Sequence, residues 1–248
     1  MAAVNLDQIT AVVLAGGYGT RVQHLLPGVP KPMAEVAGKP FLEWVVRYLA
    51  KQGIGRVVLS TGYLAEVVEK HFQTHLVPGV TVRCIPETKP LGTGGGFLHT
   101  ARTSGDEPSA WLVMNGDSLA FADLAAAAAP LADAANSGVI VGRFVPDASR
   151  YGTLGIGPAG ELLRFQEKQP GSGIINGGIY LLRHSLLKEF PNRTPLSLEN
   201  DVFPIWLARG MRLQTVVTEA PFLDIGTPES LPQAEAFIRQ NMGHFLTT

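Results

Sequence analysis

The chain has 248 residues, 46% hydrophobic and 17% charged, enough apolar material for a sizeable core in one large α/β domain or two small ones. That balance excludes disorder, which needs fewer apolar residues and more net charge. A formal net charge of −1 with no run of lysine or arginine excludes general attraction to nucleic acid or an acidic membrane, so any anion site must be local.

Cys84 is the sole cysteine, which excludes a disulfide framework and a thiolate metal cluster. It lies in the apolar run TVRCIP and reads as a small buried hydrophobe. The N-terminus lacks a basic n-region, and no apolar run reaches the roughly eighteen residues of a membrane span. A soluble cytoplasmic protein is expected.

Along the chain, ITAVVLA (9–15) is a short β-branched run ended by glycine, the pattern of a central parallel strand. FLEWVVRYLAKQG (41–53) has helical spacing with Gly53 as a C-cap. RVVLSTG (56–62), VTVRCIP (80–86) and AWLVMNGD (110–117) predict further strands, and YLAEVVEKHF (63–72) a helix. PLGTGGG (90–96) reads as a turn that opens a helix over FLHTAR (97–102). Strands and helices alternating in this way predict an α/β fold, a Rossmann-like, doubly wound, mixed but mostly parallel sheet with helices on both faces. Ligands in such sheets sit beyond the carboxyl ends of the strands, where GGYGTR and NGD both fall.

DLAAAAAPLADAANSG (123–138) is an alanine-rich helical stretch interrupted at Pro130. GVIVGRFV, YGTLGIG, ELLRFQEK and IINGGIYLLR then predict strands forming one antiparallel patch. PLSLENDVFPIWLARG (195–210) predicts a capped helix, MRLQTVVTE (211–219) a strand and TPESLPQAEAFIRQNM (227–242) a closing helix. There is no long polar linker and no internal repeat, so one domain over 1–248 is expected, with a nucleotide-side half to about 120 and a substrate-side half beyond.

In GGYGTR, Gly16, Gly17 and Gly19 let backbone N–H groups turn toward phosphate oxygens, and Arg21 offers a forked guanidinium. A tight turn with Arg21 in a surface ion pair fits the loop equally well. The loop is neither GxxxxGK[ST] nor GxGxxG, so a P-loop enzyme and an NAD enzyme are poor fits. Lys31, held between Pro30 and Pro32, tips the balance, since a surface lysine needs no such rigid setting. Asp117 in MNGDS and Asp224 in FLDIGTP both end strand-like runs, and two carboxylates suit one Mg²⁺; the commoner role of each alone is a turn former. Lys168 and Glu167 in FQEK and Asn176 in INGG offer groups for a phosphate and for hydroxyls, or else an ordinary hairpin with an Asn-Gly turn. Gly152 in RYGTLGI permits close approach to the backbone. The six histidines show no metal-ligand spacing.

LAGGYGTR, PKPM, PLGTGGG, MNGDS, RYGTLGI, FQEK, INGGIYLL and FLDIGTPES occur in the order found in sugar-1-phosphate nucleotidyltransferases. The chain resembles that family from about residue 9 to 235, and PLGTGGG, RYGT and INGGIYLL resemble most its guanylyltransferase branch acting on heptose 1-phosphates. The resemblance implies the reaction of an NTP with a sugar 1-phosphate to give an NDP-sugar and pyrophosphate, with Mg²⁺ as cofactor. Its partners are then small molecules only, and relatives are often dimers or tetramers, so a homo-oligomer is compatible. By motif, Leu14, Gly16, Gly17, Gly19, Thr20 and Arg21 hold the nucleotide, and Arg21 grips the departing pyrophosphate. Lys31 stabilises charge at the α-phosphate, Asp117 and Asp224 hold the metal, and Lys168 grips the sugar phosphate. Glu167, Asn176 and Gly152 lie near the sugar. Glu87, with Gly92 and Thr93, is assigned to the base, because a carboxylate accepts from both N1–H and N2–H₂ of guanine. Within the family, mannose 1-phosphate with GTP and muramic-type sugars with UTP are the alternatives. A non-catalytic nucleotide-sugar sensor is a different class; it would show loss of Arg21, Lys31 or an aspartate, and all four are present. Two departures stand out: VQHLLPG follows Arg21, and the apolar SLAFAD follows Asp117 where relatives often carry polar or aromatic groups.

Overall fold

The computed structural model describes residues 5–149, 151–166 and 170–245. Its elements run β1 (Ile9–Ala15), β2 (Glu35–Val36), β3 (Lys39–Pro40), α1 (Phe41–Lys51), β4 (Arg56–Thr61), α2 (Ala65–Thr74), β5 (Thr81–Pro86), α3 (Gly92–Ser104), β6 (Ala110–Asn115) and β7 (Ser118–Ala120). The second half adds α4 (Leu124–Ala128), β8 (Asn136–Val145), β9 (Thr153–Ile156), β10 (Leu162–Gln166), β11 (Gly173–Arg183), α5 (Phe203–Ala208), β12 (Arg212–Thr218), β13 (Phe222–Asp224) and α6 (Ala234–Gln240).

The main sheet runs β10-β9-β11-β6-β1-β4-β5, with β8 also on β11 and β12 on β8. β1 lies parallel to both β4 and β6, with Leu14 opposite Asn115. The chain winds from β1 outward through β4 to β5, then returns to place β6 on the other side of β1. That reversal opens a crevice at the carboxyl ends of β1 and β6, where open α/β sheets bind ligands. Because β1 is covered on both faces, its residues are apolar without alternation. Ala11 and Val13 pack in the layer that holds Trp44 of α1, Phe72 of α2 and Ile238 of α6; Val12 packs in the other, with Phe97 of α3 and Trp206 of α5. This is the expected doubly wound, mixed sheet, parallel through its central run β5-β4-β1-β6. One sheet runs through both halves, since β11 pairs antiparallel with β6.

β8, β9, β10 and β11 form the expected antiparallel patch, and β12 joins it parallel to β8. Two expectations are corrected. The glycines of PLGTGGG do not form a turn ahead of a helix; α3 begins at Gly92. Glycine disfavours a helix interior by about 1 kcal/mol relative to alanine, which hides this start in the sequence. The cause is tertiary: the segment around Leu196 crosses the first turn, and its carbonyl accepts from the N–H groups of Gly94 (2.9 Å) and Gly95 (3.2 Å). A Cβ on Gly92, at φ +76°, would lie 2.4 Å from that carbonyl oxygen. Finally, residues 195–210 are not one helix: a wide turn over Leu198–Val202, capped by Ser197 through the Asn200 N–H, precedes the short α5.

Candidate active site

The loop after β1 leaves the sheet at Gly16 and turns at Gly19. Among the described residues, the backbone N–H groups of Gly17, Tyr18, Gly19, Thr20 and Arg21 donate to no protein acceptor. A run of amides free in this way is an anion nest, and Arg21 at its end is exposed. Gly19 has φ +59°, and a Cβ there would meet the Lys31 Cβ at 2.8 Å, so only glycine lets the loop turn against that lysine. The intervening VQHLLPG contributes a short helical turn at Gln23–Leu25. PKP builds a 3₁₀ turn over Lys31–Met33, with Pro32 and Met33 buried and the Met33 N–H on the Pro30 carbonyl at 2.8 Å. The Lys31 ammonium is held in direct contact with the Asp117 carboxylate, its side chain 10% exposed.

A small ribbon brings in Asp224. β13 pairs antiparallel with β7, setting Asp224 opposite Ser118, and the Ile225 N–H donates to the Asp117 carbonyl at 3.0 Å. This explains the apolar SLAFAD: Leu119 and Ala120 are buried ribbon residues. Asp224 Oδ1 accepts from the Gly226 N–H at 2.6 Å. Burial raises the Asp224 carboxyl above its ordinary range, and the nearby Asp117 charge adds to this; the Gly226 N–H, Lys31 and Arg21 pull it down only in part. Two carboxylates and two cations thus meet at the crevice.

Cavities flank this cluster. One, about 320 Å³, is lined by Leu14, Gly16, Gly17, Tyr18, Glu87, Gly92, Thr93, Asn115 and Asp117. The other, about 510 Å³, is lined by Arg21, Asp117, Ser118, Tyr151, Gly152, Phe165, Asn176, Gly178, Glu199, Asn200, Phe222 and Asp224. Asp117 belongs to both, so a ligand in each would meet at its carboxylate. A smaller recess of about 160 Å³ between Tyr18, Tyr63 and Glu87 adjoins the first.

The structure therefore brings together Arg21, Lys31, Asp117 and Asp224, and sorts Leu14, Gly16, Gly17, Glu87, Gly92 and Thr93 from Gly152 and Asn176. Gly19 and Thr20 lie in the loop but line neither large cavity. Glu167 and Lys168 lie outside the described residues. Glu87 already accepts from the Ser60 hydroxyl (3.0 Å) and the Leu91 N–H (3.1 Å), so it braces the loop before α3 as well as facing the cavity. The Thr93 hydroxyl donates to Glu199 Oε2 at 2.9 Å and accepts from the Leu198 N–H at 2.8 Å, which commits it to joining α3 to the second half. INGG is no hairpin turn: it is a bulge inside β11, whose register shifts between Asn176 and Ile179.

Sequence reasoning missed Asn115, Ser118, Tyr151, Tyr180, Glu199, Asn200 and Phe222. Asn115 and Ser118 flank a motif already read, and that adjacency was an available signal. Glu199 sits in what reads as helix, and nothing local marks it. Cys84 is half-buried, its thiol pushed up to about 11 by burial and then by the Glu69 charge, which suits the reading as an unreactive packing residue.

The model of the family described as nucleotidyl transferase matches residues 10–241. The chain belongs to that family. It is 33% identical over 220 residues to the D-glycero-alpha-D-manno-heptose 1-phosphate guanylyltransferase of Campylobacter jejuni, covering 88% of this chain and 95% of that one. It is 34% identical to the mannose-1-phosphate guanylyltransferase of Mycobacterium tuberculosis, covering 92% of this chain and 64% of that longer one. The crystal structure of HddC from Yersinia pseudotuberculosis complexed with GMP-PN superposes with a TM-score of 0.78 at 33% identity, over 92% of this chain and 98% of that one.

Proposed function

We propose that the protein transfers a guanylyl group from GTP to D-glycero-α-D-manno-heptose 1-phosphate, giving the GDP-sugar and pyrophosphate. The observation that carries the reading is the meeting of Arg21, Lys31, Asp117 and Asp224 between two cavities that share Asp117. The choice of GTP and of this heptose leans on the names of the relatives, including a structure holding GMP-PN.

In this reading the triphosphate lies along the free amides of Gly17–Arg21, and the sugar phosphate enters from the Asn176 and Glu199 side. Both are polyanions, so charge neutralisation and alignment dominate; the phosphate oxygen is already a nucleophile and needs no base. It attacks the α-phosphorus in line, the bond to the β-phosphate oxygen breaks, and pyrophosphate leaves on the opposite side. Lys31 offsets charge growing on the α-phosphate. Its position is fixed by the Pro30 turn and by Asp117, so no reorientation is needed during the reaction.

Asp117 and Asp224 fit Mg²⁺. Burial first, and then the Asp117 charge, raise the Asp224 carboxyl; a hard cation offsets both, and two carboxylates leave it room for waters and phosphate oxygens. Among the described residues no cluster of three or more His, Cys, Asp or Glu competes with this pair. When bound, the ion supplies Lewis-acid charge neutralisation to the phosphates. Among the described residues no helix is long and apolar enough to cross a membrane; the reading places the protein in the cytoplasm, where GTP is available.

The test is pyrophosphate release from four NTPs against a panel of sugar 1-phosphates. The reading expects GTP with the heptose to give the highest kcat/KM. Preference for mannose 1-phosphate would favour the second relative's activity, and release with no sugar phosphate present would contradict transfer.

A further inference from the structure

We propose that Glu199 is a specificity-determining positioning residue, which acts through Tyr180 to fix the way the Asn176 amide faces in the larger cavity. The proposal rests on the sugar 1-phosphate reading above.

An ionised carboxylate only accepts hydrogen bonds. Glu199 Oε2 takes the hydroxyls of Ser197 (2.7 Å) and Thr93 (2.9 Å), and Oε1 takes the Tyr180 hydroxyl at 2.8 Å. The tyrosine proton is thereby committed, leaving lone pairs on its oxygen. Asn176 must then present Nδ2 to that oxygen, at 2.7 Å. Its Oδ1 is turned to the Gly178 N–H at 3.0 Å, so both ends of the amide agree on one orientation. One N–H and one oxygen lone pair remain on Asn176, a fixed donor and acceptor that match neighbouring hydroxyls of a sugar.

The relay is rigid where it must be. Tyr180 is fully buried in β11, and burial, then the Glu199 charge, push its hydroxyl well above the usual range, so it stays a donor. Asn176 stays paired with Gly142 on β8, directly before the bulge over Gly177 and Gly178, and lies on the cavity wall with Glu199 and Asn200. A glutamine at 199 removes the directionality. Its N–H can donate to the tyrosine oxygen, the tyrosine proton then points at Asn176, and the amide must rotate and lose the Gly178 bond.

Steady-state kinetics with both substrates varied test this on Glu199→Gln, Tyr180→Phe and the double variant. Each single change is expected to raise KM for the sugar 1-phosphate about tenfold and leave KM for the nucleotide within about twofold, because only the sugar side loses a paired polar group. The double variant should be no worse than the poorer single one, since both break the same relay. A melting temperature near the parent's shows the fold is kept; should Glu199→Gln fail to fold, Tyr180→Phe retains the ring and carries the measurement. Unchanged sugar KM, equal loss of both substrates, or effects that multiply independently would each overturn the proposal. A parent protein that turns over no sugar 1-phosphate overturns the underlying reading and the proposal with it; an active parent with unaffected variants overturns the proposal alone.

Discussion

Lys31 illustrates how a residue's setting can single it out. The two prolines around it were legible in the sequence, and the structure adds the 3₁₀ turn, the Gly19 backbone against its stem and the Asp117 contact. Lys31→Met should lower kcat by roughly 10²–10³-fold with a smaller change in nucleotide KM, the scale of losing one preorganised group that stabilises the transition state. Steady-state kinetics check this; a change confined to KM would make Lys31 a binding residue only. Glu43 was not legible, because a glutamate in an amphipathic helix reads as solvated. It is 2% exposed and holds Arg47 and His71, each at 2.8 Å, and Lys39 at 3.3 Å. Burial pushes its carboxyl up, but the bonds from Arg47 and His71 and the charges of Lys39 and Arg47 win and hold it below the ordinary glutamate range. A depressed carboxylate contributes stability that is present above its unfolded value and lost as pH falls through the folded one. Acid melts should therefore show a loss below about pH 4.5 that Glu43→Gln flattens. That variant, which takes from Arg47 and Lys39 the buried charge they share, should itself be less stable by about 3 kcal/mol at pH 7.

At the scale of elements, most strands and helices of the first half follow from apolar periodicity and glycine stops. Those that escaped are set by partners distant in the chain. SLA and FLD are too short to register as strands alone, yet their pairing is what brings Asp224 to Asp117. Leu119, fully buried in that ribbon, is the point at which to separate them. Leu119→Ala should cost about 2–5 kcal/mol as a core truncation and also weaken Mg²⁺-dependent activity. Chemical denaturation and a Mg²⁺ titration of turnover check both, and lost stability with an unchanged Mg²⁺ requirement would uncouple the ribbon from the site. The start of α3 escaped for the same reason. Gly92→Ala should destabilise the protein by at least about 1 kcal/mol, as alanine does where φ is positive, and the Leu196 carbonyl adds a clash. A variant as stable as the parent would show that this crossing yields.

On the scale of the whole molecule, the alternation of strand and helix was enough to predict the doubly wound sheet and to put GGYGTR and NGD at its carboxyl edge. The sequence could not show that β12 returns parallel to β8, since strand direction depends on connections that no local pattern encodes. Nor could it show which second-half groups face the crevice: Glu199, Tyr180 and Thr93 meet only after folding. With a net charge near zero, attraction for two polyanions is concentrated where β1, β6 and the β7–β13 ribbon converge. In the proposed reaction this convergence joins a nucleotide's α-phosphate to a sugar phosphate. Supplying GTP labelled on the α-phosphate or on the γ-phosphate, together with the heptose 1-phosphate and Mg²⁺, tests it most directly. The α-label should appear in the sugar nucleotide and the γ-label in pyrophosphate; γ-label on the sugar, or release of γ-label as free phosphate, would contradict it.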